Sequence, residues 1–217
     1  MPNWCYTQFI FHGDKKEIED FHQKLEQWTS KEFVKSDFGK SWLGNVLCGA
    51  GLGDRIDSKT DGLRCRGAIE FLDGPDVVEE SDEGIIVLDT STAWAPMPLM
   101  WVEVIKKLGY KTVGFSYSAE EPGCDVYEVY DPYGDFPERY YVDGYISEED
   151  ECPELLQLRN ISYYSDDDLL KRHIQKFLKT DECDLKTLIK TMEDYKFKND
   201  DTYISIHEYG KVDVIEE

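Results

Sequence analysis

Residues 5–11 are rich in β-favouring types and stop at His12-Gly13, which predicts a first strand. Ile18, Phe21, Leu25 and Trp28 then recur at helical spacing with Lys, Glu and Gln between them, predicting an amphipathic helix capped by Asp14. Trp42, Val46 and Leu47 predict a short buried helix that Gly49, Gly51 and Gly53 would end. Residues 63–72 alternate as a second strand up to a turn signal at Asp73-Gly74-Pro75, and a solvated acidic loop over 76–83 leads to a strand at 85–88. The chain looks organised around residues 90–108, a small-residue turn carrying Trp94 and Pro96, then a helix entered at Pro98 and closed by Gly109. Its inward stripe is Trp101, Val104, Ile105 and Leu108, and Trp94 is expected to pin the sheet to this helix. Strands at 112–117 and 125–130 would pair across Glu120-Glu121-Pro122-Gly123, and 139–146 reads as one more short strand.

Strand, helix, strands, helix, strand, strand is the order of an α+β ferredoxin-like split β-α-β sandwich, an antiparallel sheet with two helices on one face. Residues 1–146 are assigned to this domain with insertions. The acidic, aperiodic stretch at 147–153 is the expected boundary. Residues 147–217 then form a C-terminal α+β extension. It has a helix capped from Ser165-Asp-Asp-Asp168, a second capped by Asp184, and a closing hairpin of 203–207 with 211–215.

A hydrophobic content of 41% with 13% aromatics is ample for a packed core in 217 residues. No apolar run approaches the ~20 residues of a membrane span, and no basic-then-apolar leader is visible, so a cytoplasmic location is expected. The six cysteines are dispersed and the four histidines show no ligand spacing, so reduced thiols and no metal or cofactor are expected. Glycines 49, 51 and 53 lack the Gly-Lys-Ser/Thr ending of a phosphate loop. The net charge is −22, and residues 119–151 hold twelve Asp or Glu against one Arg. Such a surface repels phosphate backbones and anionic lipid, which disfavours direct nucleic-acid or membrane binding and suits a protein partner, including a basic one.

Four separated motifs in order carry a family resemblance: Met1-Pro-Asn-Trp-Cys5, Trp42-Leu-Gly-Asn45, Thr92-Ala-Trp-Ala-Pro96 and Glu120-Glu-Pro-Gly123. Over roughly residues 1–146 the chain resembles the YubB-like family, uncharacterised proteins found largely on plasmids, phages and integrated elements. The resemblance implies a ferredoxin-like domain and a mobile-element setting, and it transfers no activity. This chain departs from many relatives in having Thr7 where they carry Asn, and Ala95-Pro96-Met97 where they carry Ser-Pro-Pro.

The candidate binding residues are Trp4, Cys5, Trp94, Pro96, Tyr117, Glu120 and Glu121. Trp4, Trp94 and Tyr117 would be aromatic walls of a recognition cleft with Cys5 as a candidate nucleophile; alternatively both tryptophans are core anchors. Glu120 and Glu121 are adjacent on a strand, hence on opposite faces, which argues against an acid/base pair, and no catalytic residue is assigned. Three functions fit: a non-enzymatic accessory protein of a mobile element that binds another protein through its sheet and aromatic corner, an acidic nucleic-acid mimic that occupies a basic host protein, or an enzyme whose site assembles only in three dimensions.

Overall fold

Along β1 (Trp4–Asp14) the side chains of Cys5, Thr7, Phe9 and Phe11 are buried while Trp4, Tyr6 and Gln8 are exposed, so the strand has one inner and one outer face. The computed structural model describes residues 3–34, 37–56, 58–77 and 82–213, and these divide into two units, 1–136 with 211–217 and 137–210. In the first unit β1 lies between β3 (Glu83–Ala93) and β4 (Gly114–Glu121), antiparallel to both. Outside these pair β2 (Gly67–Val77) on β3 and β5 (Val126–Tyr130) on β4, both antiparallel. The fold is mixed α+β.

Helices α1 (Lys15–Trp28), α2 (Leu43–Gly49) and α3 (Pro98–Leu108) contribute their apolar stripes to one core with the inner face of the sheet. Trp101, fully buried, sits with its ring 5.8 Å from Phe9 and 5.4 Å from Phe11, and Phe21 of α1 meets Phe11 at 5.3 Å. Burying an indole removes ~200 Å² from water, at most about 4–6 kcal/mol. This contact joins sheet and helix. The expected pin, Trp94, is 48% exposed, because its backbone turns left-handed at φ 68° and carries the indole away from the core.

Pro98 opens α3 and Gly109 closes it at φ 76°, as expected. Asp14 gives α1 no side-chain cap; instead Glu17 of its first turn accepts Lys111 N–H, Thr112 N–H and the Thr112 hydroxyl, at 2.7 Å for the hydroxyl, tying the α3–β4 connection to α1. Asp73-Gly74-Pro75 does not end its strand; β2 runs through it with a register shift between Asp73 and Asp76. Of the acidic loop expected at 76–83, residues 78–81 lie outside the described residues.

The second unit has its own core, with Tyr140, Val142, Tyr164 and Ile206 from a three-stranded sheet packed among Leu155, Leu158, Leu170, Ile174, Leu188 and Met192. Its strands are β6 (Tyr140–Tyr145), β7 (Tyr163–Tyr164) and β8 (Tyr203–Glu208), in the order β7-β6-β8, and its helices are α4 (Pro153–Asn160), α5 (Asp167–Leu178) and α6 (Leu185–Glu193). Asp166 caps α5 through the N–H groups of Asp168 and Leu169, and Asp184 caps α6 through Thr187 N–H, as read from the sequence. The division falls at residue 137, not 147: β6, assigned above to the first domain, pairs with β7 and β8.

The expected closing hairpin does not form. β8 pairs with β6, whereas β9 (Gly210–Lys211) joins the first sheet beside β5, giving the order β2-β3-β1-β4-β5-β9. Tyr209, between them, is buried and donates its N–H to Arg139 O, so the chain runs on instead of folding back; residues 214–215 of the expected second arm lie outside the described residues. Among the described residues no helix is long and apolar enough to cross a membrane.

His173 on α5 is buried, and its Nδ1 lies 2.9 Å from the Tyr164 hydroxyl. That hydroxyl spends its one proton on Leu158 O, so His173 donates from Nδ1. Burial, then the charges of Arg172 and Lys176, hold its pKa below the ordinary 6.5. A lowered histidine pKa means that the unfolded chain binds the extra proton first, so stability falls as pH drops below about 6.5. Denaturant unfolding at about pH 7.5 and about pH 5.5 should show this loss, and His173→Gln should reduce it. Carboxylates held low, such as Asp150 and Asp184, lose their contribution only below about pH 4 and leave this window clear.

Candidate functional site

Three of the four sequence motifs meet the second strand at one end of the first sheet. Trp4 pairs with Ala93, Gly67 pairs with Thr92, and Trp42 bridges to Ala68. Asn3 O accepts Trp94 N–H at 2.9 Å, Arg66 O accepts Ala93 N–H at 2.9 Å, and Ser41 O accepts Ile69 N–H at 2.8 Å. A side chain at Gly67 would put its Cβ 2.4 Å from Ser91 O, so only glycine lets the segments approach this closely. In the fourth motif Glu121 Oε1 accepts Gly123 N–H at 3.1 Å.

The outer face here is hollowed into a cleft of about 970 Å³ whose lining includes Trp4, Tyr6, Trp42, Trp94, Arg64 and Arg66. The Trp42-Leu-Gly-Asn45 motif acquires a physical reading from it. Trp42 is a wall against which the Phe38 ring leans, tilted, at 5.0 Å, and Leu43 is core. Gly44 gives the indole its seat, since a Cβ there would lie 2.3 Å from the ring. Buried Asn45 holds the preceding loop by donating to Gly39 O and Lys40 O at 2.9 and 3.0 Å. Met97, buried, reaches from the cleft lining into the core.

Trp94 is held in place from several sides. Thr92 Oγ1 donates to Ala95 O at 2.8 Å, and the Arg66 guanidinium lies 4.7 Å over the indole. A bulky residue in the left-handed region costs roughly 1–2 kcal/mol, and the cation–π contact returns ~0.5–1 kcal/mol at an exposed site. The corner is strained, and it leaves the indole exposed.

Of the candidate residues, Trp4 and Trp94 share this cleft, and Pro96 stands half-buried beside it, between Trp94 and Met97. Glu120 is on the outer face opposite Tyr6 in the β1–β4 pairing. Cys5, Tyr117 and Glu121 are on the helix-covered face, because each is one residue out of phase with the outer positions of its strand. Tyr117 packs its ring tilted against Phe9 at 5.4 Å and donates to Glu128 Oε1 at 2.7 Å, so it is no wall of the cleft. Among the described residues the buried Glu121 Oε2 has no hydrogen-bond partner. The opposed placement of Glu120 and Glu121 follows the alternation read from the sequence. Tyr6, Trp42, Arg64 and Arg66 were missed as site residues, although the same alternation carries Tyr6 to the face of Trp4.

Cys5 is fully buried, with Thr7 Oγ1 at 3.7 Å, and burial, with the nearby Glu128 and Glu121 charges adding to it, pushes the thiol up to about 11. A thiol so placed is a core side chain, not the nucleophile considered above. Among the described residues no group of three or more His, Cys, Asp or Glu is placed to hold a metal ion. A second hollow of about 670 Å³ includes Lys106, Tyr110, Lys111 and Tyr133; Tyr133 stacks on His12 at 4.3 Å, and His12 Nε2 lies 2.8 Å from Asp135 Oδ2.

The acidic 119–151 stretch spans both units, and several of its carboxylates hold local structure. Asp131 accepts Ser116 Oγ and the N–H groups of Gly134, Asp135 and Phe136, while Asp150 accepts Lys198 N–H, Asn199 N–H and Thr202 Oγ1. Comparison with family models, with curated proteins and with solved structures found no match for this chain.

Thiol labelling checks the face assignment. In native protein, alkylation should reach the exposed Cys124 and Cys183, whereas Cys5 and Cys65 should react only once denaturant opens the core. Native-state labelling of Cys5 would place it outside the core.

Proposed function

We propose that this is a non-enzymatic accessory protein of a mobile element, of YubB-like kind, whose ferredoxin-like first unit grips another protein in the aromatic cleft on its outer sheet face. The strand order β2-β3-β1-β4, antiparallel throughout with α1 and α3 on one face, supports the ferredoxin-like reading. The convergence of the Asn3-Trp4-Cys5, Trp42-Leu-Gly-Asn45 and Thr92-Ala-Trp-Ala-Pro96 motifs at one cleft supports a shared binding role.

The observation that carries the reading is Trp94: a strained backbone exposes an indole that a folding anchor would bury. Half-exposed aromatics beside arginines are the residue types that dominate protein-recognition sites. The phosphate-mimic alternative is weakened by the carboxylates of 119–151 that are engaged in turns and caps.

Trp94→Gly separates recognition from folding. Glycine accepts φ 68° without strain, so the unfolding free energy should stay within about 1 kcal/mol of wild type. By contrast, Trp101→Ala in the core should cost about 3–5 kcal/mol. The Trp94 variant should lose partners captured by the wild-type protein from the native host. Equal capture by both proteins, or a Trp94 variant as unstable as the Trp101 one, would defeat the proposal.

A further inference from the structure

Resting on this binding reading, we infer that the cleft selects an acidic peptide segment, in which an apolar or aromatic side chain stacks on Trp4 and Trp94 while a neighbouring carboxylate pairs with Arg64 and Arg66. The chain has 46 acidic side chains and 24 Lys or Arg, and some of its cations are taken up by its own carboxylates. Arg55 pairs with Glu103 and Asp61, Arg139 with Asp167, and Lys24 with Asp20. Arg64 and Arg66 are both exposed, both line the cleft, and among the described residues neither forms an ion pair, even with Glu70 in the same lining. Cys65 between them is buried, so the chain sends the two guanidinium groups outward on the same side. The Arg66 guanidinium lies over the Trp94 indole, and an arginine held there by a cation–π contact still has N–H donors for pairing with a carboxylate.

Charge complementarity therefore names the occupant. A basic segment would leave both guanidinium groups unpaired and add like charge beside them. A polynucleotide would meet the field of a chain at −22, whereas a short acidic segment needs only the local pair. The partner as a whole is free to carry any net charge; the inference concerns the segment seated in the cleft.

The test is selection of a random peptide display library on the immobilised full-length protein, with counter-selection on Trp94→Gly. Recovered peptides should be enriched in Asp or Glu next to a large apolar residue. Arg64→Ala with Arg66→Ala should weaken a selected, fluorescein-labelled peptide by about tenfold. Arg66→Lys should restore only part, because an ammonium keeps the charge without the fork. Peptides that depend on Trp94 but lack acidic residues, or that ignore both arginine substitutions, would overturn the inference and leave the binding reading standing. Recovery indifferent to Trp94→Gly, or no enrichment at all, would overturn both. Displacement of the peptide by an equimolar single-stranded oligonucleotide or by ATP would reassign the cleft to nucleotides and also overturn the inference.

Discussion

Trp101 lying across Phe9 and Phe11 is the contact on which the first unit depends. Because β1 is hydrogen-bonded on both sides, to β3 and to β4, its register decides which side chains of the central strands face the helices. A slip by one residue would send Phe9 and Phe11 to the open face and bring Tyr6 and Gln8 inward, exchanging a packed aromatic block for unpaired polar atoms. The indole of α3 and the phenyl groups of β1 fix that register jointly. The outer residues, Trp4 and Tyr6 among them, are held in their places by what the inner residues require.

Two tryptophans within one short stretch of chain thus receive opposite treatment. Trp101 is sealed in the core, where its area contributes to stability. Trp94 sits on a backbone conformation that an L-residue resists and leaves nearly half of its surface uncovered. Stability alone would favour glycine at that corner, and the cation–π contact with Arg66 only partly offsets the strain. The corner, the Gly44 seat under Trp42 and the tight approach at Gly67 have one effect in common: each shapes a surface on the side of the sheet that the helices leave open.

What the sequence made legible was the local chemistry. Pro98, Gly109, Asp166 and Asp184 do at the helix ends what their side chains and dihedral preferences suggest. Alternation separated Glu120 from Glu121 correctly, and the same rule applied to Trp4 and Cys5 would have placed them on opposite faces. Long-range facts were harder to read. No pattern says that the strand at 140–145 pairs with residues 203–208, since β pairing across such a separation is decided by core packing and not by turn residues. Neither does any short window show that Arg64 and Arg66 join Trp94, because the strand pairing of Gly67 with Thr92 creates that neighbourhood. The tight dihedral of Trp94 is likewise a tertiary demand, imposed where Asn3 O captures its N–H.

The excursion of the chain between β5 and β9 has a consequence for its birth on the ribosome. Val129 O is satisfied by Val212 N–H, so the outer rim of the first sheet gains its last partner only after the whole second unit has emerged. Until then β5 offers an open hydrogen-bonding edge, the kind of template on which nascent chains adhere to one another. The carboxylates crowded just downstream, from Asp131 through Glu151, leave the exit tunnel in that same interval, and like charge on neighbouring nascent chains disfavours their association. The order of synthesis thus leaves that seam open while the rest of the polypeptide is made.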